Sequence, residues 1–405
     1  MTSLRPESLK DLQDIVIDAA AHGRPMEIRG GGSKRGLGQP TAPDSRLELD
    51  GLSGIVSYDP AELVLTARAG TPLAEIEALL ADKRQLLAFE PPTWRKLLGS
   101  DARTPTLGGT LACNMSGPRR IKAGAARDHF LGFTAVNGFG ESFKAGGQVV
   151  KNVTGYDLSK LMAGSYGTLA ALAEVSIKVM PRHDESRSLL ILGLDNEAAV
   201  AALADGLNAP HEVSAAAHLP PAIAAHSALS AAFPGTPITA LRLEGPPSSI
   251  AFRAQALREL FAARGQLVDL QEAESERFWR EISEVNDLLP GNDRAIWRLS
   301  LPPSASPKAM ATVLRDIDAI GYYDWGGGLL WLSVAAQADG GAAVIRAAVA
   351  SSGGHATLVR APDALRAAVS AFQPQPAVLA ALTRRVKDSF DPKRIFNPGR
   401  LYQGM

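Results

Sequence analysis

Leu9, Leu12, Ile15, Val16 and Ala19 recur at i, i+3 and i+4 spacing along an otherwise charged and polar stretch. That pattern predicts a helix over residues 7–22 burying one stripe, and Gly23 stands where a left-handed C-terminal glycine belongs. Met26–Arg29 reads as a short strand running into a glycine-rich stretch, Gly30–Gly38. Glu62–Ala69 alternates apolar and polar positions as a strand. Thr71-Pro72 then provides an N-cap followed by proline at the first helical position, opening a helix that carries Leu73, Ile76, Leu79 and Leu80. Leu86–Phe89 is a further strand, stopped by Pro91-Pro92.

Residues 104–182 have another texture. Short β-like stretches (Phe133–Asn137, Glu141–Lys144, Leu172–Val179) and one helix near Asp157–Ala163 are set among many glycines. So much glycine beside so much apolar content marks a folded layer rather than a linker, because glycine admits close backbone approach. From about residue 184 the rhythm changes to strand–helix units: strands at 189–194, 238–243, 266–270, 296–301, 329–334 and 355–359, helices at 197–207, 249–263, 308–317 and 342–350. This alternation predicts an α+β sheet with helices on one face, and it admits two similar β-α-β halves. Phe278-Trp279 and the aromatics of Tyr322–Trp331 read as core or interface.

The chain has 405 residues, enough for two domains, and is 46% hydrophobic and 21% charged. Its 42 Lys+Arg balance 42 Asp+Glu, so no global charge argues for nucleic acid or an anionic membrane as partner. Cys113 is the only cysteine, which excludes an internal disulfide and any iron–sulfur cluster ligated by this chain alone. No uncharged apolar run reaches the roughly 18–20 residues of a membrane span, and Met1–Leu12 carries no apolar signal region. The expectation is a cytoplasmic protein whose association with a membrane, if any, runs through partners.

Four segments carry candidate chemistry. In Gly30-Gly31-Gly32-Ser33-Lys34-Arg35-Gly36-Leu37-Gly38, consecutive N–H groups can converge on phosphate oxygens as a nest, with Lys34 and Arg35 adding charge. The spacing is not G-x-G-x-x-G, and Pro40 and Pro43 deny a following helix, so this is no Rossmann loop. Taken alone, it reads equally as a flexible glycine turn. Thr106-Leu107-Gly108-Gly109-Thr110-Leu111-Ala112-Cys113-Asn114-Met115-Ser116-Gly117-Pro118 can lie flat along a planar ligand or form a glycine-rich core turn. Arg127-Asp128 with Leu131-Gly132 is the third. The fourth runs from Lys151-Asn152-Val153-Thr154-Gly155-Tyr156-Asp157 to Leu161, then Gly164-Ser165-Tyr166-Gly167-Thr168-Leu169. Tyr156, with Lys151 and Asp157, reads either as a cofactor contact or as an anchor fixing a helix in the core.

In order and spacing these segments resemble the FAD-binding domain of the vanillyl-alcohol-oxidase (p-cresol-methylhydroxylase, PCMH-type) family, and within it the FAD-binding subunits of bacterial glycolate oxidases. The terminal Phe390-Asp391-Pro392-Lys393-Arg394-Ile395-Phe396-Asn397-Pro398-Gly399-Arg400 matches as well. The resemblance is strong over residues 1–182, good over 377–405, and only architectural over 184–376. It implies a two-lobed PCMH-type FAD-binding domain (1–183), an α+β cap domain (184–376) and a C-terminal segment returning to the FAD domain (377–405). By position, Gly30, Gly31, Gly32, Ser33 and Lys34 would hold the pyrophosphate of a non-covalent FAD. Pro91, Thr106, Gly109, Cys113, Ser116 and Gly117 would line its ribityl and ring system, with Gly124 and Leu172 on the wall. It also implies partners: a sister flavin subunit that oxidises a small 2-hydroxy acid and an iron–sulfur subunit that takes the electrons, this chain having an accessory electron-transfer or assembly role.

Catalytic hydroxy-acid dehydrogenases of this fold carry an H-x-H-based metal cluster in the cap. The seven histidines here (22, 129, 183, 211, 218, 226 and 355) form neither H-x-H nor H-E-x-x-H, so no metal site is expected, and no catalytic residue is identified. Two other roles remain open on the sequence: a self-sufficient FAD-dependent dehydrogenase of an unidentified hydroxy acid or alcohol, and a scaffold subunit with a structural flavin.

Overall fold

The computed structural model describes residues 2–100, 103–147, 156–288, 293–335 and 337–405. The chain divides into two compact units. One comprises Met1–Ser116, Gly124–Arg182 and Pro374–Met405; the other comprises Gly117–Ala123 and His183–Gln373.

In the first unit, β1 (Thr2–Leu4), β2 (Met26–Arg29) and β3 (Ser45–Glu48) form a parallel sheet in the order β1-β3-β2. Helix α1 (Leu9–His22) covers it. Its ends obey the expected chemistry: Ser8 and Asp11 form a reciprocal capping box, and Gly23 closes it at φ +61°. The buried stripe Leu12, Val16 and Ala19 packs on Met26, Leu47, Ile395 and Phe396. A second, antiparallel sheet has the order β4-β5-β8-β6-β7, from β4 (Ile55–Asp59), β5 (Val64–Arg68), β6 (Phe130–Asn137), β7 (Ser142–Gly146) and β8 (Ala170–Lys178). Leu65, Val175 and Ile177 of this sheet bury α2 (Leu73–Asp82) and α3 (Leu107–Ala112). Thr71 is not the N-cap of α2. Pro72 takes that position, and the Thr71 hydroxyl instead accepts from Gly54 N–H at 2.9 Å and donates to Arg68 O at 2.7 Å, tying two loops together. The strand expected at Leu86–Phe89 is reduced to Gln85–Leu86.

The C-terminal segment completes this unit. Ile395 O accepts from Met26 N–H at 2.7 Å and Asn397 N–H donates to Met26 O at 3.0 Å, so the tail lies beside β2 as a parallel bridge. Its helix, Ala377–Phe390, is anchored by one buried cation. Lys387 Nζ donates to Asp391 Oδ2 (2.6 Å), Thr168 O (2.6 Å) and Phe396 O (3.1 Å), while Asp391 also accepts from the N–H groups of Ile395 and Phe396. A buried charge is tolerated when it is paired and fully hydrogen-bonded, as here.

The second unit is one eight-stranded antiparallel sheet: β9 (Glu185–Leu192), β10 (Ala215–Leu219), β11 (Ile238–Gly245), β12 (Gln266–Leu270), β13 (Ala295–Ser300), β14 (Ala319–Asp324), β15 (Leu329–Val334) and β16 (His355–Arg360). Its order is β12-β9-β11-β10-β14-β15-β13-β16. From the central β10–β14 seam outward, both halves read second, third, first, fourth strand. Each half is a β-α-β-β-α-β unit, with helices α4 (Asn196–Asn208) and α5 (Pro247–Phe261) in the first and α7 (Ser306–Asp316) and α8 (Ala342–Ala350) in the second. The helices do not all lie on one face. Leu189 and Ile191 of β9 pack under α4 and α5. Just before them, Ser188 points the other way and accepts from Trp279 Nε1 of α6 (Glu272–Glu284) at 2.8 Å, and Tyr322 donates to Ile282 O of the same helix at 2.8 Å. Strand alternation thus puts α6 on the opposite face. No described helix is long and apolar enough to cross a membrane.

Candidate cofactor-binding site

The glycine loop leaves β2 and faces the segment that opens α3. Thr106 caps α3 by accepting from Gly109 N–H (3.4 Å), and the backbone around it is stitched to β5 and the turn after it: Gly108 N–H to Ala69 O at 2.8 Å, Leu107 N–H to Thr71 O at 2.9 Å. The two walls meet closely. A Cβ on Gly31 would fall deep inside the contact radius of Thr104 O, and one on Gly30 inside that of Thr106 Oγ1. Glycine is therefore required here for close backbone approach; at Gly32 and Gly167 the reason is φ, +76° and +68°.

Together these segments line a cleft within the first unit. Gly30, Gly31, Gly32, Ser33, Lys34, Thr106, Gly109, Cys113 and Leu172 all line it. Pro91, Ser116, Gly117 and Gly124 do not. Ser116 Oγ accepts from Ala126 N–H at 2.9 Å, Gly124 is a left-handed turn residue (φ +90°), and Gly117 belongs to the second unit, where its carbonyl accepts from Trp325 Nε1 at 3.1 Å. Lys151–Gly155 lies outside the described residues. Tyr156 is 92% exposed, so it anchors no core; buried Met162 does that for its helix, which Asp157 caps.

The cleft also has lining residues that the sequence reading did not single out: Glu27, Asn397, Arg400 and Tyr166. Asn397 Oδ1 accepts from Ile28 N–H (2.9 Å) while its Nδ2 donates to Tyr166 O (2.8 Å). Arg400 reaches back to the loop, donating to Leu37 O at 2.9 Å and Arg35 O at 3.1 Å. Glu27, almost fully buried, faces Arg35 at 2.8 Å, Arg400 at 3.4 Å and Arg46 at 3.6 Å. One carboxylate among three guanidiniums, with Lys34 beside them, leaves the loop end of the cleft positive. The terminal motif was visible in the sequence; Glu27, in a strand, carried no signal.

Two observations fit a dinucleotide. The N–H groups of Gly31, Gly32 and Ser33 make no hydrogen bond to another described residue, although Gly32 and Ser33 are buried; buried amides require a partner, and phosphate oxygens supply one. The local charge is positive. Burial pushes the Cys113 thiol up to about 11, the charges of Lys34 and Arg400 only partly opposing this, so the one cysteine is held as a neutral thiol rather than a nucleophilic thiolate. Among the described residues no three His, Cys, Asp or Glu side chains gather as a metal-holding group. His218 is buried and satisfied by Thr239 and Asn196.

A two-lobed domain with such a cleft, followed by a split-βαβ cap sheet, defines a PCMH-type FAD-binding oxidoreductase. The FAD binding domain family matches residues 3–146. The structure of p-cresol methylhydroxylase with substrate bound aligns over 99% of this chain and 88% of its own, with a TM-score of 0.75 at 14% identity. Glycolate oxidase subunit GlcE of Escherichia coli (strain K12) is 36% identical over 394 residues, 96% of each chain. An uncharacterised FAD-linked oxidoreductase of Mycobacterium tuberculosis (strain ATCC 25618 / H37Rv) is 27% identical over 98% of this chain and 90% of its own length. The chain belongs to the family of FAD-linked oxidoreductases that includes GlcE.

Proposed function

We propose that this chain is the FAD-binding subunit of a complex that oxidises a small 2-hydroxy acid, glycolate or D-lactate, and that it relays electrons or holds the assembly around its flavin. The observation that carries this reading is the end-to-end similarity to a protein named as a glycolate oxidase subunit. The amides of Gly31–Ser33 and the Lys34 ammonium hold the pyrophosphate. Gly109, Cys113 and Leu172 form the wall along the ring system, and a neutral Cys113 supports non-covalent binding. Arg400 and Asn397 keep the loop in shape. FAD supplies acceptance of two electrons from an organic donor and their release one at a time. A single cysteine cannot ligate a cluster, which supports a sister flavin subunit and an iron–sulfur subunit as partners, on the cytoplasmic side and with any membrane attachment through them.

The test is anaerobic reduction. The purified chain, mixed with glycolate or D-lactate, is expected to keep its flavin oxidised and to bleach only when the partner subunits are added. Rapid bleaching of the chain alone would make it a self-sufficient dehydrogenase. A flavin that never turns over within an active complex would make it a scaffold.

A further inference from the structure

Strand β2 delivers Arg29 to the start of the glycine loop. Arg29 pairs in register with Glu48 of β3, so the two side chains leave the sheet on the same face. Both are half-buried, and Arg29 lines the FAD cleft. The contact between them is loose: Arg29 Nη2 stands 3.7 Å from Glu48 Oε1, too long for a hydrogen bond. The Nε of the same guanidinium is buried without a hydrogen-bond partner. Glu48 therefore balances charge but leaves donors unfilled, and a guanidinium has five of them. A buried donor left without an acceptor is costly, and a ligand oxygen can supply the acceptor.

The guanidinium also lies against the amide nest. A Cβ on Gly32 would stand 3.3 Å from Arg29 Nε and 3.4 Å from its Cζ and Nη2. Gly32 turns the loop at φ +76°, and Arg103 Nη1 holds its carbonyl at 3.2 Å. Gly32 thus sits between two guanidiniums, which fixes the loop relative to Arg29. Lys34 acts elsewhere. With Arg400 it supplies the charge that reaches Cys113, on the wall along the ring system. Arg29 stands instead beside Glu48, whose chain neighbour Leu49 lines the cleft together with Ala69. One cation therefore serves each side of Gly31–Ser33, an arrangement that suits two linked phosphates rather than one.

We propose that the Arg29 guanidinium donates to the adenosine-side phosphate of FAD and so makes the cleft select the dinucleotide over FMN, which lacks that phosphate. The planar fork matches a phosphate. Glu48, held by Coulomb attraction alone, gives the fork up without breaking a hydrogen bond. This rests on the reading of Gly31–Ser33 as the pyrophosphate nest and extends it to the choice of cofactor.

The test is fluorescence titration of the deflavinated full chain with FAD and, separately, with FMN. The wild type is expected to bind FAD more tightly than FMN. Arg29→Ala is expected to raise the FAD Kd roughly tenfold or more, the loss of a charge-assisted bond, and to leave the FMN Kd unchanged. Arg29→Lys, which keeps the charge but not the fork, is expected to bind FAD less tightly than the wild type and more tightly than Arg29→Ala. It carries the test should Arg29→Ala fail to fold. Glu48→Gln removes the competing carboxylate and is expected to bind FAD as tightly as the wild type or more so; it decides the question where FMN binds too weakly to titrate. An unchanged FAD Kd in Arg29→Ala, or an equal loss for both flavins, overturns the role, the second result making Arg29 a prop for Gly32. A loss in Glu48→Gln matching that of Arg29→Ala also overturns it, because the ion pair is then only structural. These outcomes leave the nest standing, whereas Gly31→Ala protein with wild-type FAD affinity sinks the nest itself.

Discussion

Arg400→Ala tests whether the C-terminal tail shapes the cofactor loop. The side chain is nearly buried (8% exposed), spans Leu37 O and Arg35 O at 2.9 and 3.1 Å, and touches Glu27 Oε1 at 3.4 Å. The last contact is long, and Glu27 keeps Arg35 at 2.8 Å, so no carboxylate is stranded. Two carbonyl bonds then decide the magnitude. At about 1.5–3 kcal/mol each for charged donors they bound the loss at about 3–6 kcal/mol. The lower end applies, because the site is a cleft edge that water enters once the side chain is gone. The backbone bond from Gln39 N–H to Arg400 O (2.9 Å) survives the substitution, so the loop loosens rather than detaches. If loosening is paid back on binding, about 3 kcal/mol corresponds to roughly a hundredfold rise in the FAD Kd. Arg400→Lys, which keeps the charge but not the planar guanidinium fork, falls between. The assay is titration of deflavinated protein with FAD, followed by quenching of flavin fluorescence, with far-UV circular dichroism as the control for folding. A folded Arg400→Ala protein with wild-type Kd would refute the positioning role.

Gly31→Ala puts a methyl against the Thr104 carbonyl and is expected to purify depleted of flavin; a fully yellow protein would contradict the cleft. Glu244 accepts both Arg119 Nε (3.0 Å) and Nη2 (2.7 Å) within the second unit. Burial alone would raise its pKa, but Arg242 and Arg119 hold it well below the carboxylate range. The stability it supplies is therefore complete above the unfolded-state value near 4.3 and drains away as pH falls below it. Glu244→Gln, which strands two arginines, is expected to cost about 3–5 kcal/mol in denaturant melts at pH 7. Desolvation lowers His218 to about 4, so its contribution is complete above about pH 6.5 and is lost toward pH 4, at up to about 1.4 kcal/mol per unit. His218→Gln should flatten that slope. Lys387→Met leaves Asp391 buried without its cation and is expected to lower the melting temperature of the first unit, detectable by calorimetry; an unchanged transition would count against the anchor.

Features set by neighbours along the chain were legible in the sequence alone. The α1 stripe with its Gly23 stop, the strand feeding Gly30–Gly38, and the alternation after residue 184 all follow from periodicity and backbone freedom over a few residues. The cleft's glycines were legible for the same reason: close approach demands glycine, and glycine is visible. Other features depend on contacts that no local pattern encodes. Glu27 and Arg400 meet across 373 positions. The segment 117–123 leaves the flavin-binding unit for the second one, where it brings Arg120 to Trp325. The face chosen by α6, and the matching order of strands in the two halves of the sheet, likewise depend on which strands pair. Strand pairing and the burial of a charge are decided by partners distant in sequence, so only the tertiary structure shows which partners those are.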